Sequence, residues 1–212
     1  VDVGGGDNAP WTAAQRRVLR RLRTPADVQG FLDATPYSTD PVYRCPASVL
    51  RDRRAHCFDG AVLAAAAMRR SGHPPLLVDL RAHRDDDHVL ALYRVDGHWG
   101  VVSKSNVPLL RFREPVFRTV RELVMSYFEF YVNVEGLKAL RSHSRPVSLV
   151  PFDRWSWTHD DRVMTRIARR LDAAPHLPLL TRRMVTRLRP VDRRTYDACM
   201  LGANPEGLYV PS

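Results

Sequence analysis

Arg54-Ala55-His56-Cys57-Phe58-Asp59-Gly60-Ala61-Val62-Leu63-Ala64-Ala65-Ala66-Ala67-Met68 runs from a polar loop into an alanine-rich apolar stretch, with a cysteine at the join. Such a run, with few polar interruptions as far as Arg70, predicts a helix buried on most sides, whose small side chains let strands approach closely. Gly72 supplies a C-terminal stop and Pro74-Pro75 prevents continuation. First-turn N–H groups have no intrahelical partner, and with the helix macrodipole they favour a thiolate over a thiol, so Cys57 is a candidate nucleophile. Packing alone is the competing account, because free cysteine is among the most buried residue types.

Downstream of this helix, Leu76-Leu77-Val78-Asp79-Leu80 reads as a strand, followed by a polar connection from Arg81 to Asp87. Asp87-His88-Val89-Leu90-Ala91-Leu92-Tyr93 alternates as a half-buried strand does, and it begins with a histidine. Asp96-Gly97 then signals a hairpin, with Trp99-Gly100-Val101-Val102-Ser103 as the returning strand. A helix followed by an antiparallel sheet predicts an α+β architecture. Upstream, Trp11 to Arg23 has helix-forming composition. Thr24-Pro25-Ala26-Asp27 combines a cap, a first-turn proline and a carboxylate that complements the dipole, ahead of an apolar face at Val28, Phe31 and Leu32. Prolines 36, 41 and 46 break the next section, and Leu50 to Arg54 is expected as a short helix leading into the cysteine loop. Thr119 to Tyr131 is expected as an aromatic-rich helix. From Pro146 the chain is Arg-rich and expected to be mostly helical, with helices at Asp160–Leu171 and Leu179–Leu188. The expected organisation is a glycine-rich leader (1–10), a core (11–145) and a helical C-terminal extension packed on it (146–212).

With 212 residues and 44% hydrophobic content the chain is large enough for one domain that buries an active site. The net charge of +10 is carried by arginine, since all but Lys104 and Lys138 of the 33 Lys+Arg are arginines. A coding bias accounts for such a ratio without any anionic partner. The functional alternative is a polyanion surface built from Arg16-Arg17, Arg20-Arg21, Arg169-Arg170, Arg182-Arg183 and Arg193-Arg194. No zinc-finger spacing, RRM signature or Gly-x-x-Gly clamp accompanies these pairs, which leaves nucleic acid a minor alternative. Three cysteines exclude a disulfide scaffold, and no apolar run reaches the length of a membrane span. Without a basic and apolar secretory leader, a cytoplasmic protein with no membrane partner is expected; the oligomeric state is not readable from the sequence.

The segment from Arg44 to Ser105 resembles the core of the transglutaminase-like superfamily, cysteine enzymes with a papain-like Cys–His arrangement. In that family a cysteine opens a helix, a histidine opens a following strand, and an aspartate lies on the next strand after a hairpin. Ala55-His56-Cys57-Phe58-Asp59-Gly60-Ala61 looks like the cysteine motif, and His88 to Trp99 looks like the histidine strand and hairpin. Ser103-Lys104-Ser105-Asn106, Tyr127-Phe128-Glu129-Phe130-Tyr131 and Leu140-Arg141-Ser142 also look like stretches of bacterial transglutaminase-like proteins. The resemblance implies a transglutaminase-like core with Cys57 as nucleophile and His88 as base. It also implies an acidic third residue that accepts the Nδ1 proton of the histidine and stabilises the imidazolium. The register places Ser103 at that third position, where a hydroxyl accepts the hydrogen bond without supplying the charge. Asn106 is the alternative, as a papain-type orienter, and Asp79 or Asp87 is a further candidate from neighbouring structure.

His56 is adjacent to the cysteine and ranks below His88 as a base, since neighbouring residues rarely present side chains in the needed geometry; it is expected to line the entrance. Asp85-Asp86-Asp87-His88 carries metal-binding residue types, but successive strand residues alternate faces and do not converge on one ion, so no metal or cofactor is expected. Cys45 and Cys199 are expected to be structural, Arg54 and Lys104 solvated surface charges, and Phe128, Phe130 and Tyr131 core. Trp155 and Trp157 are expected to pack the extension onto the core. The expected function is cysteine-dependent acyl transfer or hydrolysis at an amide or thioester of a small molecule or peptide. An arylamine N-acetyltransferase-like enzyme is a rival that lacks its Arg-Gly-Gly-x-Cys motif here. A catalytically inactive scaffold, binding protein or nucleic acid through its arginines, is the rival from another class, favoured by the missing carboxylate.

Overall fold

The computed structural model describes residues 11–210, so the leader expected over 1–10 lies outside the described residues. Among the described residues, four helices precede the sheet. Helix α1 (Ala13–Leu19) starts at a capping box in which Thr12 and Gln15 satisfy each other's backbone N–H groups. It ends four residues short of Arg23, in a turn closed by Leu22 N–H donating to Leu19 C=O. Helix α2 (Pro25–Asp33) begins as its sequence predicts: Thr24 accepts from Asp27 N–H at 3.1 Å and the Asp27 carboxylate accepts from Thr24 N–H at 2.9 Å. Helix α3 is Pro46–Asp52 instead of a helix starting at Leu50, because Pro46 suits the first turn; it stops where Arg53 turns left-handed at φ 54°. Helix α4 (Cys57–Arg69) is buried at every residue from Phe58 to Met68.

The sheet is antiparallel throughout: β1 (Leu76–Ala82), β2 (His88–Val95), β3 (His98–Val102), β4 (Arg113–Phe117), β5 (Leu140–Ser144), β6 (Val147–Ser148) and β7 (His176–Pro178). The strand order is β4-β3-β2-β1-β5-β7, with β6 also pairing β1. Asp96 and Gly97 both take positive φ, 47° and 82°, as a two-residue hairpin between β2 and β3 requires.

Strand β2 is buried on both faces, not half-buried as its alternation suggests. Val89, Ala91 and Tyr93 face the core formed with α4, whereas Leu90 and Leu92 join Val78, Leu80 and Val101 in a second core on the opposite face. That second face is covered when the chain returns through α5 (Val120–Met125) and the turns after it, which supply Leu123, Tyr127 and Tyr131. The α5 helix is shorter than the expected Thr119–Tyr131. Ser126 Oγ donates to Leu123 C=O at 2.6 Å, a side-chain bond that competes with helix continuation, and the chain proceeds in turns. Phe128 and Tyr131 are core, but Phe130 is 41% exposed, contrary to expectation.

Beyond Pro146 the chain supplies strands as well as helices. Helix α6 (Asp161–Asp172) is capped by Asp160 and buries Val163, Met164, Ile167 and Leu171. Strand β7 then pairs with β5, and Leu179 N–H continues that pairing to Arg141 C=O at 2.9 Å. The helix expected over Leu179–Leu188 therefore shrinks to α7 (Arg182–Val185), which Thr181 caps by accepting from Met184 N–H. Helix α8 (Arg193–Met200) buries Cys199. Trp157 is buried in the helical core and donates to Asp153, which also receives a two-pronged bond from Arg69 at the end of α4. Among the described residues, no helix is long and apolar enough to cross a membrane.

Candidate active site

The cysteine loop is built around Asp59. Its carboxylate is fully buried, accepts from Arg44 N–H at 2.8 Å and His56 N–H at 3.4 Å, and lies 3.9 Å from the Arg44 guanidinium. Burial pushes this carboxyl up to about 7, against the pull of those donors. His56 is the N-cap of α4: its Nδ1 accepts from Phe58 N–H at 3.2 Å, and burial together with the Arg44 charge lowers its pKa to about 4. His56 is thus a neutral cap on the cavity wall, and its Nδ1 lone pair is already used. The sequence carries a signal for this arrangement, a capping pair three residues apart at His56 and Asp59. Arg44 carries no comparable signal, being brought in from a separate turn.

Cys57 is the first residue of α4. Its Sγ donates to the Asp87 carbonyl oxygen at 3.8 Å, which seats the thiol against the main chain one residue before His88; among the described residues no hydrogen bond joins Cys57 to His88. His88 opens β2 and is buried; its Nε2 is 2.9 Å from the Leu110 carbonyl and 3.1 Å from Ser103 Oγ. A carbonyl oxygen only accepts, so Nε2 carries the proton, and the neutral ring keeps Nδ1 as its proton-accepting nitrogen. This corrects the expectation that the third residue would hold Nδ1: the orienting contacts fall on Nε2. Ser103 Oγ itself donates to Leu110 C=O at 2.8 Å.

Ser103 is held from behind by Gln29 on α2, which donates to Ser103 C=O at 3.0 Å and accepts from Ser103 N–H at 3.1 Å. No periodicity marks Gln29 or the Leu110 carbonyl, since both meet the site only after the chain has folded. The other candidates for the third position are engaged elsewhere. Asn106 uses its carboxamide on Asn204, Asp79 pairs with His176 at 2.9 Å, and Asp87 accepts from Ala82 N–H at 3.1 Å. Lys104, expected as a solvated charge, is buried; its ammonium donates to Leu32 C=O at 2.9 Å and to Thr35 C=O at the end of α2. Gly60 permits that approach, because a Cβ there would lie 2.3 Å from Lys104 Cβ. Cys45 and Cys199 are buried.

The resting pair is uncharged. Burial pushes the Cys57 thiol up to about 12 and lowers His88 to about 4, so desolvation outweighs the helix N-terminus expected to favour a thiolate. Cys57 opens on two cavities. The larger, about 370 Å³, carries Asp40, Asp79, Asp86, Asp87, Asp172 and Glu206 in its wall, and among the described residues no lysine or arginine lines it. The smaller, about 70 Å³, contains Cys57 and His88 together with Asn106, Leu110 and Tyr131. Tyr131 donates to Asp86 C=O at 2.7 Å and so holds the loop that precedes His88.

No family model matches the chain. No curated protein matches it either. Among solved structures, Legionella pneumophila LapG is similar at 16% identity over 42% of this chain and 59% of that one, with a TM-score of 0.35. Its EGTA-treated form gives the same values. The chain spans less than two thirds of LapG, and at this level the likeness carries no conclusion on activity.

Proposed function

We propose that the protein is a cysteine-dependent acyl-transfer enzyme of the transglutaminase-like kind, acting on an amide or thioester carbonyl of a peptide or small molecule. The observation that carries this reading is the seating of Cys57 Sγ against the Asp87 carbonyl, one residue before His88, whose Nε2 proton is committed to Leu110 C=O. The Nδ1 lone pair is then the proton acceptor available to the thiol. As Sγ attacks the carbonyl carbon, the thiol proton passes to Nδ1 and the carbonyl oxygen becomes an oxyanion near the Cys57 N–H at the helix start. Collapse breaks the bond to the leaving amine or thiol, which takes the proton back from Nδ1. Water or an amine then gives up a proton to Nδ1, attacks the thioester and restores the thiol. Leu110 C=O and Ser103 keep the ring oriented throughout, while among the described residues no carboxylate is hydrogen-bonded to the ring to stabilise the imidazolium formed transiently.

Screening peptide carboxamides and acyl thioesters for amine or thiol release tests this reading. Turnover that disappears in Cys57→Ala supports it. A screen with no turnover above that of Cys57→Ala favours the inactive scaffold, the alternative to which the uncharged Ser103 points.

A further inference from the structure

Asn106 sits three residues after Ser103, at the rim of the site, and spends its whole side chain on one backbone unit of a distant segment. Its Nδ2 donates to Asn204 C=O at 2.9 Å and its Oδ1 accepts from Asn204 N–H at 2.9 Å. A carboxamide that takes both the N–H and the C=O of one residue imitates a rung of a β-ladder and reads backbone rather than side chain. Beyond that clamp the Asn204 side chain accepts from Glu206 N–H at 3.1 Å and closes a short turn, Pro205–Gly207. Gly207 is then pressed against the cleft: a Cβ there would lie 2.9 Å from the Tyr37 ring and 3.0 Å from Asn106 Nδ2. Glu206, Gly207 and Leu208 wall the larger cavity at Cys57, and Gly207, Leu208 and Tyr209 wall the smaller one shared with His88.

We propose that this cleft is a peptide-binding subsite in which Asn106 grips substrate backbone, and that residues 204–209 occupy it as a built-in competitor for an extended peptide with glycine at the Tyr37 position. The inference rests on the acyl-transfer reading and narrows its substrate class from amides in general to polypeptide. The strap is lightly held. Pro205 and Glu206 are exposed, Asn204 and Gly207 to Tyr209 are only half-buried, and a segment with few buried apolar contacts opens locally at small cost. While seated, it walls both cavities onto which the half-buried Cys57 opens. When a peptide displaces it, the same clamp and the same glycine-sized gap select the incoming chain.

The test measures iodoacetamide alkylation of each cysteine by mass spectrometry in the full chain, in Gly207→Val and in Asn106→Ala. Cys45 and Cys199 report global unfolding and loss of the C-terminal helix. Cys57 labelling should rise about tenfold or more in Gly207→Val and rise in the same direction in Asn106→Ala, with the other two cysteines unchanged. A peptide of residues 203–210 added to Gly207→Val should slow Cys57 labelling again, and a scrambled peptide should not. Cys57 labelling within twofold of wild type in both variants overturns the proposal. So does a joint rise of Cys57 and Cys199, which marks the strap as structural, or equal protection by both peptides. Alkylation needs only an accessible thiol, so these outcomes leave the acyl-transfer screen standing. A silent screen in a variant with accessible Cys57 counts against catalysis and not against the strap.

Discussion

A histidine whose Nε2 proton is held by a main-chain carbonyl has one nitrogen left for chemistry, and at His88 that carbonyl belongs to Leu110. A carboxylate in this place would fix the tautomer and stabilise the imidazolium with a full charge; Leu110 C=O and Ser103 Oγ fix the tautomer and offer the imidazolium only a dipole. Ser103→Ala should therefore keep the tautomer through Leu110 and stay within about tenfold of wild-type acyl-transfer rate, while His88→Ala should lose about a hundredfold or more. Equal losses in kcat/KM for the two variants would place the essential contact at Ser103. The hairpin register made Ser103 legible in the sequence, because Asp96-Gly97 sets the pairing that, continued one step past Ala91 and Val102, brings Ser103 opposite Leu90, two residues from His88 and on the same face of β2. Leu110 was not legible. A backbone carbonyl has no residue type to betray it, and this one arrives from a short turn at Pro108–Leu110 outside the strands.

At the scale of elements, α4 does two jobs with one first turn. Cys57 and the cap His56 are adjacent there, and the buried Asp59 ties both to the Arg44 loop. His56 titrates near 6.5 in an unfolded chain and near 4 in the fold, so between those values the unfolded chain binds protons that the folded one does not. Its contribution is therefore present above pH 6.5 and lost as pH falls towards 4. Asp59, pushed up to about 7, acts with the opposite sign, which makes a comparison of variants more informative than one curve. His56→Asn keeps an N-cap acceptor and removes the titration. Between pH 7 and pH 5 its urea-derived stability should fall less than that of wild type, by on the order of 1 kcal/mol. Parallel losses in the two proteins would mean that His56 is not desolvated as described. The cap at Thr24 and the alanine-rich burial of α4 were legible because capping and periodicity are local. The length of α5, the strand β7 and the second covered face of β2 were not, since each is set by segments far apart in sequence.

The whole molecule carries a net charge of +10, yet the wall of the cavity at Cys57 is acidic. Asp40 is paired with Arg44 and Arg54, and Asp79 with His176, so the acidic character of the wall rests on Asp86, Asp87, Asp172 and Glu206, whose field opposes the global one while arginines farther off are screened over about 8 Å in physiological salt. A cationic methanethiosulfonate reagent should modify Cys57 faster than its anionic counterpart, and the gap should narrow as salt rises. A preference for the anionic reagent would show that the arginine surface governs the approach. Composition revealed the arginines but not this reversal, because Asp40, Asp79, Asp172 and Glu206 converge on the cavity only in three dimensions. Whether Cys57 and His88 work as an acyl-transfer pair is decided by intact-protein mass spectrometry after exposure to an acetyl thioester. Wild type and Gly207→Val should gain one acetyl group, mapped to Cys57, absent in Cys57→Ala and formed about a hundredfold more slowly in His88→Ala. No adduct in Gly207→Val, or acetylation of Cys57 at an unchanged rate in His88→Ala, would contradict it.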